Sequence, residues 1–198
     1  WVPEEHWRTF LVGVYNGGEI NPLSATVPRG TNATGDLETA RTLLEERLVG
    51  SGWLVSARRW QITVERVGAS VADAASAVAA VLAPDLRAQL QVIESGHSVD
   101  VVPRATSKRA VVDHLGLDVS EVLMVGDRGE VGGNDFDLLS YSDLTLSVDQ
   151  VSADPTRCWN LSHDGASGPA LLTAYLQALV PRASTGVNWK PQRARGRR

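Results

Sequence analysis

The chain has 198 residues, about two-fifths of them apolar, enough to bury one substantial core and a second small one. No apolar run approaches the roughly 20 residues that cross a bilayer, and no basic segment followed by an apolar one opens the chain, which excludes a spanning helix and a signal peptide in this sequence. The single cysteine, Cys158, excludes an internal disulfide framework and a Cys-based zinc site and suits a reducing compartment, so the expectation is a cytoplasmic protein without a membrane.

The net charge of -4 is unevenly placed, because residues 181–198 carry six basic groups and no acidic one, leaving -10 for residues 1–180. The basic residues of that tail stand among Pro, Gly, Ser and Asn without apolar periodicity. It is therefore expected to be a disordered, solvated segment, not a specific nucleic-acid reader. The sequence opens on Trp1 and its only methionine, Met124, lies in an apolar run, so residues upstream of Trp1 are expected in the whole protein.

In chain order, Thr9–Tyr15 is a short β-branched and apolar run ended by Asn16-Gly17-Gly18, a strand stopping at a sharp turn. Residues 21–34 are rich in Pro, Gly, Thr and Asn. Asp36 is then expected to cap a helix with Leu37, Ala40, Leu43, Leu44 and Leu48 on one side, stopped by Gly50 and Gly52. Residues 53–67 alternate as a half-buried strand, Ser70 starts an alanine-rich helix that Pro84 closes, and residues 90–94 and 99–102 make two strands around Ser95-Gly96-His97. Residues 21–102 thus read as a small α+β unit of hairpins and helices.

From Pro103 the rhythm becomes parallel α/β. A helix over 107–115, an apolar strand over 122–125, a helix starting at Asn134, strands over 144–148 and 158–161, and a final amphipathic helix over 168–179 predict crossover connections in a sheet covered on both faces.

The strongest chemical signal is Val122-Leu-Met-Val-Gly126-Asp127-Arg-Gly-Glu-Val-Gly-Gly-Asn134-Asp135-Phe-Asp137. The apolar strand delivers Asp127 at its carboxyl end, where open α/β sheets bind ligands, and a glycine-rich loop leads into a helix beginning with Asn134 and Asp135. Acidic and amide oxygens without nearby His or Cys suit Mg²⁺, not zinc. Helix capping alone would need one oxygen residue, and this loop supplies several. A dinucleotide loop would need G-x-G-x-x-G, which this is not, and an aspartate beside the first glycine would repel a pyrophosphate. Lys108, at the start of a helix after Pro103–Thr106, is placed to neutralise a phosphate or a carboxylate at the same sheet edge; alone it would read as a solvated lysine. Arg104, after the returning strand, and His97 and Asp100, flanking the turn, are weaker candidates, with a surface-turn role favoured for His97. There is no G-x-S-x-G, P-loop or HExxH sequence.

Ser107-Lys108 followed by Gly126-Asp127 and Asn134-Asp135 resembles the third and fourth motifs of the haloacid dehalogenase (HAD) phosphohydrolases, and the Gly-Gly-Asn-Asp form is similar to phosphomannomutases and to sugar-phosphate phosphatases with a C2-type cap. Tyr15-Asn16-Gly17-Gly18 likewise resembles the turn after the second motif of capped members. The resemblance implies an α/β HAD-like parallel core over 1–20 and 103–180, incomplete at its N-terminus, with an inserted α+β cap over 21–102. It further implies Mg²⁺ held by Asp127, Asn134 and Asp135, catalysis by Lys108 and Asp127, and a small phosphorylated substrate, expected to be a sugar phosphate, contacted by Asn16, Gly17, Arg104, Lys108 and Asn134. The family's nucleophilic D-x-D is missing ahead of Asn16, and the only D-x-D, Asp135-Phe136-Asp137, belongs to the fourth motif. This chain alone is thus expected to be inactive and to self-associate or pair with a partner chain that completes the core. A phosphomutase and a non-catalytic sugar-phosphate-binding module are the alternatives.

Overall fold

A computed structural model of the chain describes residues 2–26, 33, 35–66, 68–95, 97–181 and 187–189. Ten strands and six α-helices among these residues make a mixed α/β protein with both antiparallel and parallel strand pairs. No helix among the described residues is long and apolar enough to cross a membrane. The chain divides into two compact units, Trp1–Gly116 and Leu117–Arg198.

The first unit opens with β1 (Leu11–Val14), which turns back at once into an antiparallel partner, β2 (Glu19–Pro22), that the sequence did not signal. Three successive left-handed residues make the turn, Tyr15 and Asn16 at φ 56° and Gly17 at φ 89°. Helix α1 (Asp36–Leu48) buries Leu37, Ala40, Leu44 and Leu48, the three-and-four spacing of an amphipathic helix. Its N-cap is Gly35, with φ 59°, and Asp36 stands one residue later in the first turn, where its charge still favours the positive helix end.

The expected single strand over 53–67 is a hairpin, β3 (Leu54–Arg58) and β4 (Gln61–Glu65), closed over Arg59-Trp60. Each arm alternates in and out, and the two-residue turn carries none of the Asn-Gly chemistry that announces a hairpin. Helix α2 (Val71–Val81) starts at a capping box in which Ser70 and Asp73 bond each other's backbone N–H. Pro84 does more than close it. The residue before it, Ala83, is extended, and Pro84 itself is the first residue of α3 (Pro84–Gln89), where a missing N–H leaves nothing unsatisfied.

Strands β5 (Leu90–Glu94) and β6 (Val99–Pro103) complete an antiparallel sheet in the order β3-β4-β6-β5. Ile62, Val64, Val99 and Val101 are all fully buried and share one core with the apolar residues of α1, α2 and α3. Each such side chain contributes about 1.5–3 kcal/mol by leaving water. Because side chains alternate across a strand, Gln61, Thr63 and Asp100 project from the other face. Helix α4 (Arg109–Leu115) then ends at left-handed Gly116. The division expected from sequence set 1–20 and 103–180 apart from 21–102, whereas packing keeps 1–20 and 103–116 with 21–102. Close approaches show why: a Cβ on Gly17 would lie 2.2 Å from the Ser107 carbonyl oxygen, and one on Gly13 2.6 Å from Val111.

In the second unit β7 (Met124–Arg128) and β8 (Thr145–Gln150) run parallel, with α5 (Phe136–Leu139) between them in sequence and packed on both. The strand expected over 158–161 reduces to one parallel bridge between Trp159 and Leu146. Cys158, at φ 56°, breaks the extended geometry just before it. Helix α6 (Gly168–Ala178) lays Leu171 and Tyr175 on Leu146 and Val148, and the Tyr175 hydroxyl donates to Ser147 O and accepts from Leu161 N–H. A last hairpin pairs β9 (Leu179–Pro181) with β10 (Val187–Trp189). The other residues of the basic tail, and with them its expected disorder, lie outside the described residues.

Candidate functional site

Two groups of polar residues stand out, one in each unit. In the second unit the apolar strand β7 carries the chain to Asp127, whose carboxylate is exposed at the strand's carboxyl end. Asp135 is buried behind it, and its Oδ2 accepts from the backbone N–H of Asp127 at 2.8 Å and, more weakly, of Arg128 at 3.4 Å. The loop's glycines follow from that closeness. A Cβ on Gly126 would lie 2.7 Å from Asp135 Oδ2, one on Gly129 2.1 Å from Cys158 Sγ, and one on Gly133 2.3 Å from Arg128 O. Asp127 and Asp135, two of the three expected metal residues, are thereby brought together, and Asp135 is the brace that fixes the loop.

Asn134 sits on the same loop with its Oδ1 buried and without a hydrogen-bond partner, as is Oε2 of Glu130, whose other oxygen is paired with Arg128. Sequence reasoning passed over Glu130. An orphaned acceptor costs about 1–3 kcal/mol of desolvation, a cost that a cation would offset. The donor set is oxygen only and fits Mg²⁺, which takes one or two carboxylates and keeps several waters. It is a partial set, since no group of three or more His, Cys, Asp and Glu side chains is gathered among the described residues.

The first unit holds the other group. Asn16, at the left-handed turn, donates from Nδ2 to Gln61 Oε1 at 3.4 Å; Gln61 Nε2 donates to Thr63 Oγ1 at 3.0 Å; Thr63 Oγ1 donates to Asp100 Oδ1 at 2.8 Å. Burial pushes the Asp100 carboxyl above its usual range, opposed by the hydrogen bonds of Thr63, Asn16 and Gln61 and by the positive charge of Lys108. So Asn16, Gly17 and Lys108, expected as phosphate or substrate contacts, do come together, with Gly17 pressed on Ser107. Gln61 and Thr63 were legible only as the polar half of an alternating strand.

Arg104 is placed differently from the expectation of a substrate contact. Its guanidinium donates to the carbonyl oxygens of Ala88, Leu90 and Arg87, closing the end of α3 onto β5. Gln91 holds the same connection from the other side through Pro103 O and Thr106 O. His97 is exposed, and its only described bond is from its backbone to Ser95 Oγ, in keeping with a turn residue. Cys158 is buried, and its thiol is pushed up chiefly by that burial.

No protein-family model matches this chain, and no curated protein does. Among solved structures, an N-terminally truncated IMP-nucleotidase of Plasmodium falciparum is similar to it at 13% identity and a TM-score of 0.39, over 76% of this chain. This chain spans 40% of that one. A likeness that slight bears on neither fold nor activity.

Proposed function

We propose that this chain is the greater part of a Mg²⁺-dependent phosphohydrolase of the HAD type acting on a small phosphorylated metabolite, with a sugar phosphate as the substrate class. The observation that carries the reading is Asp127, an exposed carboxylate at the carboxyl end of a parallel strand, held by Asp135 on a loop whose Asn134 and Glu130 present orphaned oxygens. Asp127 and Asn134 hold Mg²⁺ in this reading, and Asp135 keeps Asp127 aimed. The bound ion supplies charge neutralisation at the phosphoryl group. The aspartate that takes up the phosphoryl group, and so forms the aspartyl-phosphate of this family, lies outside these 198 residues.

The metal part has a direct test that needs no turnover. Titration of the chain with Mg²⁺, followed by NMR or calorimetry, gives one saturable site that Asp127→Asn weakens by at least tenfold; equal affinity in parent and variant removes Asp127 from the site. An outer edge of β7 that no described residue pairs supports the further proposal that the chain self-associates or takes a partner strand. Sedimentation of the chain then shows dimers or larger species at micromolar concentration, and a strict monomer speaks against self-association.

A further inference from the structure

The open face of the first unit's sheet differs from an ordinary solvated face. One register row runs across all four strands, Ser56 paired with Thr63, Thr63 with Asp100, and Asp100 with Ile93. Short polar side chains and one carboxylate occupy the first three places, and a half-buried apolar side chain the fourth. The donations run one way, from Asn16 through Gln61 and Thr63 to Asp100, so each side chain's orientation is fixed by the next. Such a chain of bonds is a preorganised surface, whose groups need little reordering when a ligand docks.

A second feature lies at the head of the chain. Tyr15 and Asn16 are both held at φ 56°, a region that costs a non-glycine residue about 1–3 kcal/mol and is kept where the surroundings impose it. The next residue, Gly17, is pressed on Ser107 beside Lys108. The strained turn thus joins a lysine to one end of the polar row.

We propose that Gln61, Thr63 and Asp100, with Lys108 beside them, form a recognition strip for a polyhydroxylated anionic small molecule, in which Asp100 accepts hydrogen bonds from ligand hydroxyls and Lys108 meets the anionic group. A carboxylate accepts and does not donate, so it selects ligands rich in O–H; amide and hydroxyl groups beside it serve both directions, and Ile93 suits the C–H face of a sugar. Partial burial of Asp100 adds to the selectivity, since a ligand without hydroxyls would desolvate the carboxylate further and supply no hydrogen bond in return. The strip deepens the sugar-phosphate reading above and rests on it for the anionic group.

The test compares probes that share a phosphate and differ in hydroxyls. Calorimetry of the 198-residue chain with glucose 6-phosphate, mannose 6-phosphate, ethyl phosphate and inorganic phosphate should give a hexose phosphate binding at least tenfold more tightly than ethyl phosphate, about 1.4 kcal/mol. Thr63→Val and Asp100→Asn should each reduce that preference to threefold or less without altering binding of ethyl phosphate, Thr63→Ser should keep it, and Lys108→Ala should weaken all probes alike. Thermal melts of each variant verify the fold, and Asp100→Asn carries the test if Thr63→Val does not fold. Equal binding of hexose and ethyl phosphates, a preference untouched by both Thr63→Val and Asp100→Asn, or no binding of any probe overturns the strip. Hydroxyl preference in a protein whose upstream-extended form never hydrolyses phosphate leaves the strip and removes the phosphohydrolase; hydrolysis without the preference does the reverse.

Discussion

Asp100 and Asp135 show how differently one residue type is used within this chain. Asp135 is buried but bonded to two backbone N–H groups; Asp100 is partly buried with its carboxyl pushed up by that burial. A carboxyl whose folded-state pKa is raised binds its proton more tightly folded than unfolded. Its stabilising contribution is therefore complete below the unfolded pKa and is lost as pH rises through the higher folded value. Asp100→Asn should accordingly raise stability at neutral pH and flatten the decline across the mildly acidic range, read by urea melts at several pH values; an unchanged profile would mean that burial does not govern this group. A residue kept at a cost to stability is what a recognition role for Asp100 predicts. Asp127 and Asp135 were legible because strand, glycines and acids occur together in one stretch. Asp100, Thr63 and Gln61 were not assembled from sequence, because their meeting depends on a register between β4 and β6 that no local pattern states.

At the scale of elements, the core of the first unit lies on the sheet face that carries Ile62, Val64, Val99 and Val101. Ile62 on β4 has no exposed surface and belongs to the core shared with α1, α2 and α3. Ile62→Ala should cost about 2–5 kcal/mol in chemical denaturation, the range for deleting a buried aliphatic side chain; a loss under about 1 kcal/mol would mean that the helices are not packed there. Periodicity located most elements but misplaced their breaks. The hairpin at Arg59-Trp60 went unread because each arm alternates, and the shift of phase from Val55 and Ala57 to Ile62 and Val64 was passed over; α3 went unread because Pro84 signals both the end of one helix and the start of the next. Strand β2 is too short, at four residues, to carry a pattern of its own.

For the whole molecule, the sequence placed a change of architecture near Pro103, where antiparallel α+β gives way to parallel α/β. The structure has both kinds of strand pairing, with the division between compact units after Gly116. That displacement has a packing cause, the contact of the Asn16–Gly17 turn and β1 with the Ser107–Val111 segment, which involves residues about 90–100 apart in sequence. The phosphohydrolase reading is the central claim, and its most direct test is hydrolysis of hexose phosphates with Mg²⁺ by an upstream-extended form of the protein, beside the 198-residue chain and an extended Asp127→Asn variant. The account predicts Mg²⁺-dependent phosphate release by the extended protein alone, reduced by about 10²-fold or more in the variant. Release that needs no Mg²⁺, or that survives Asp127→Asn unchanged, would contradict it.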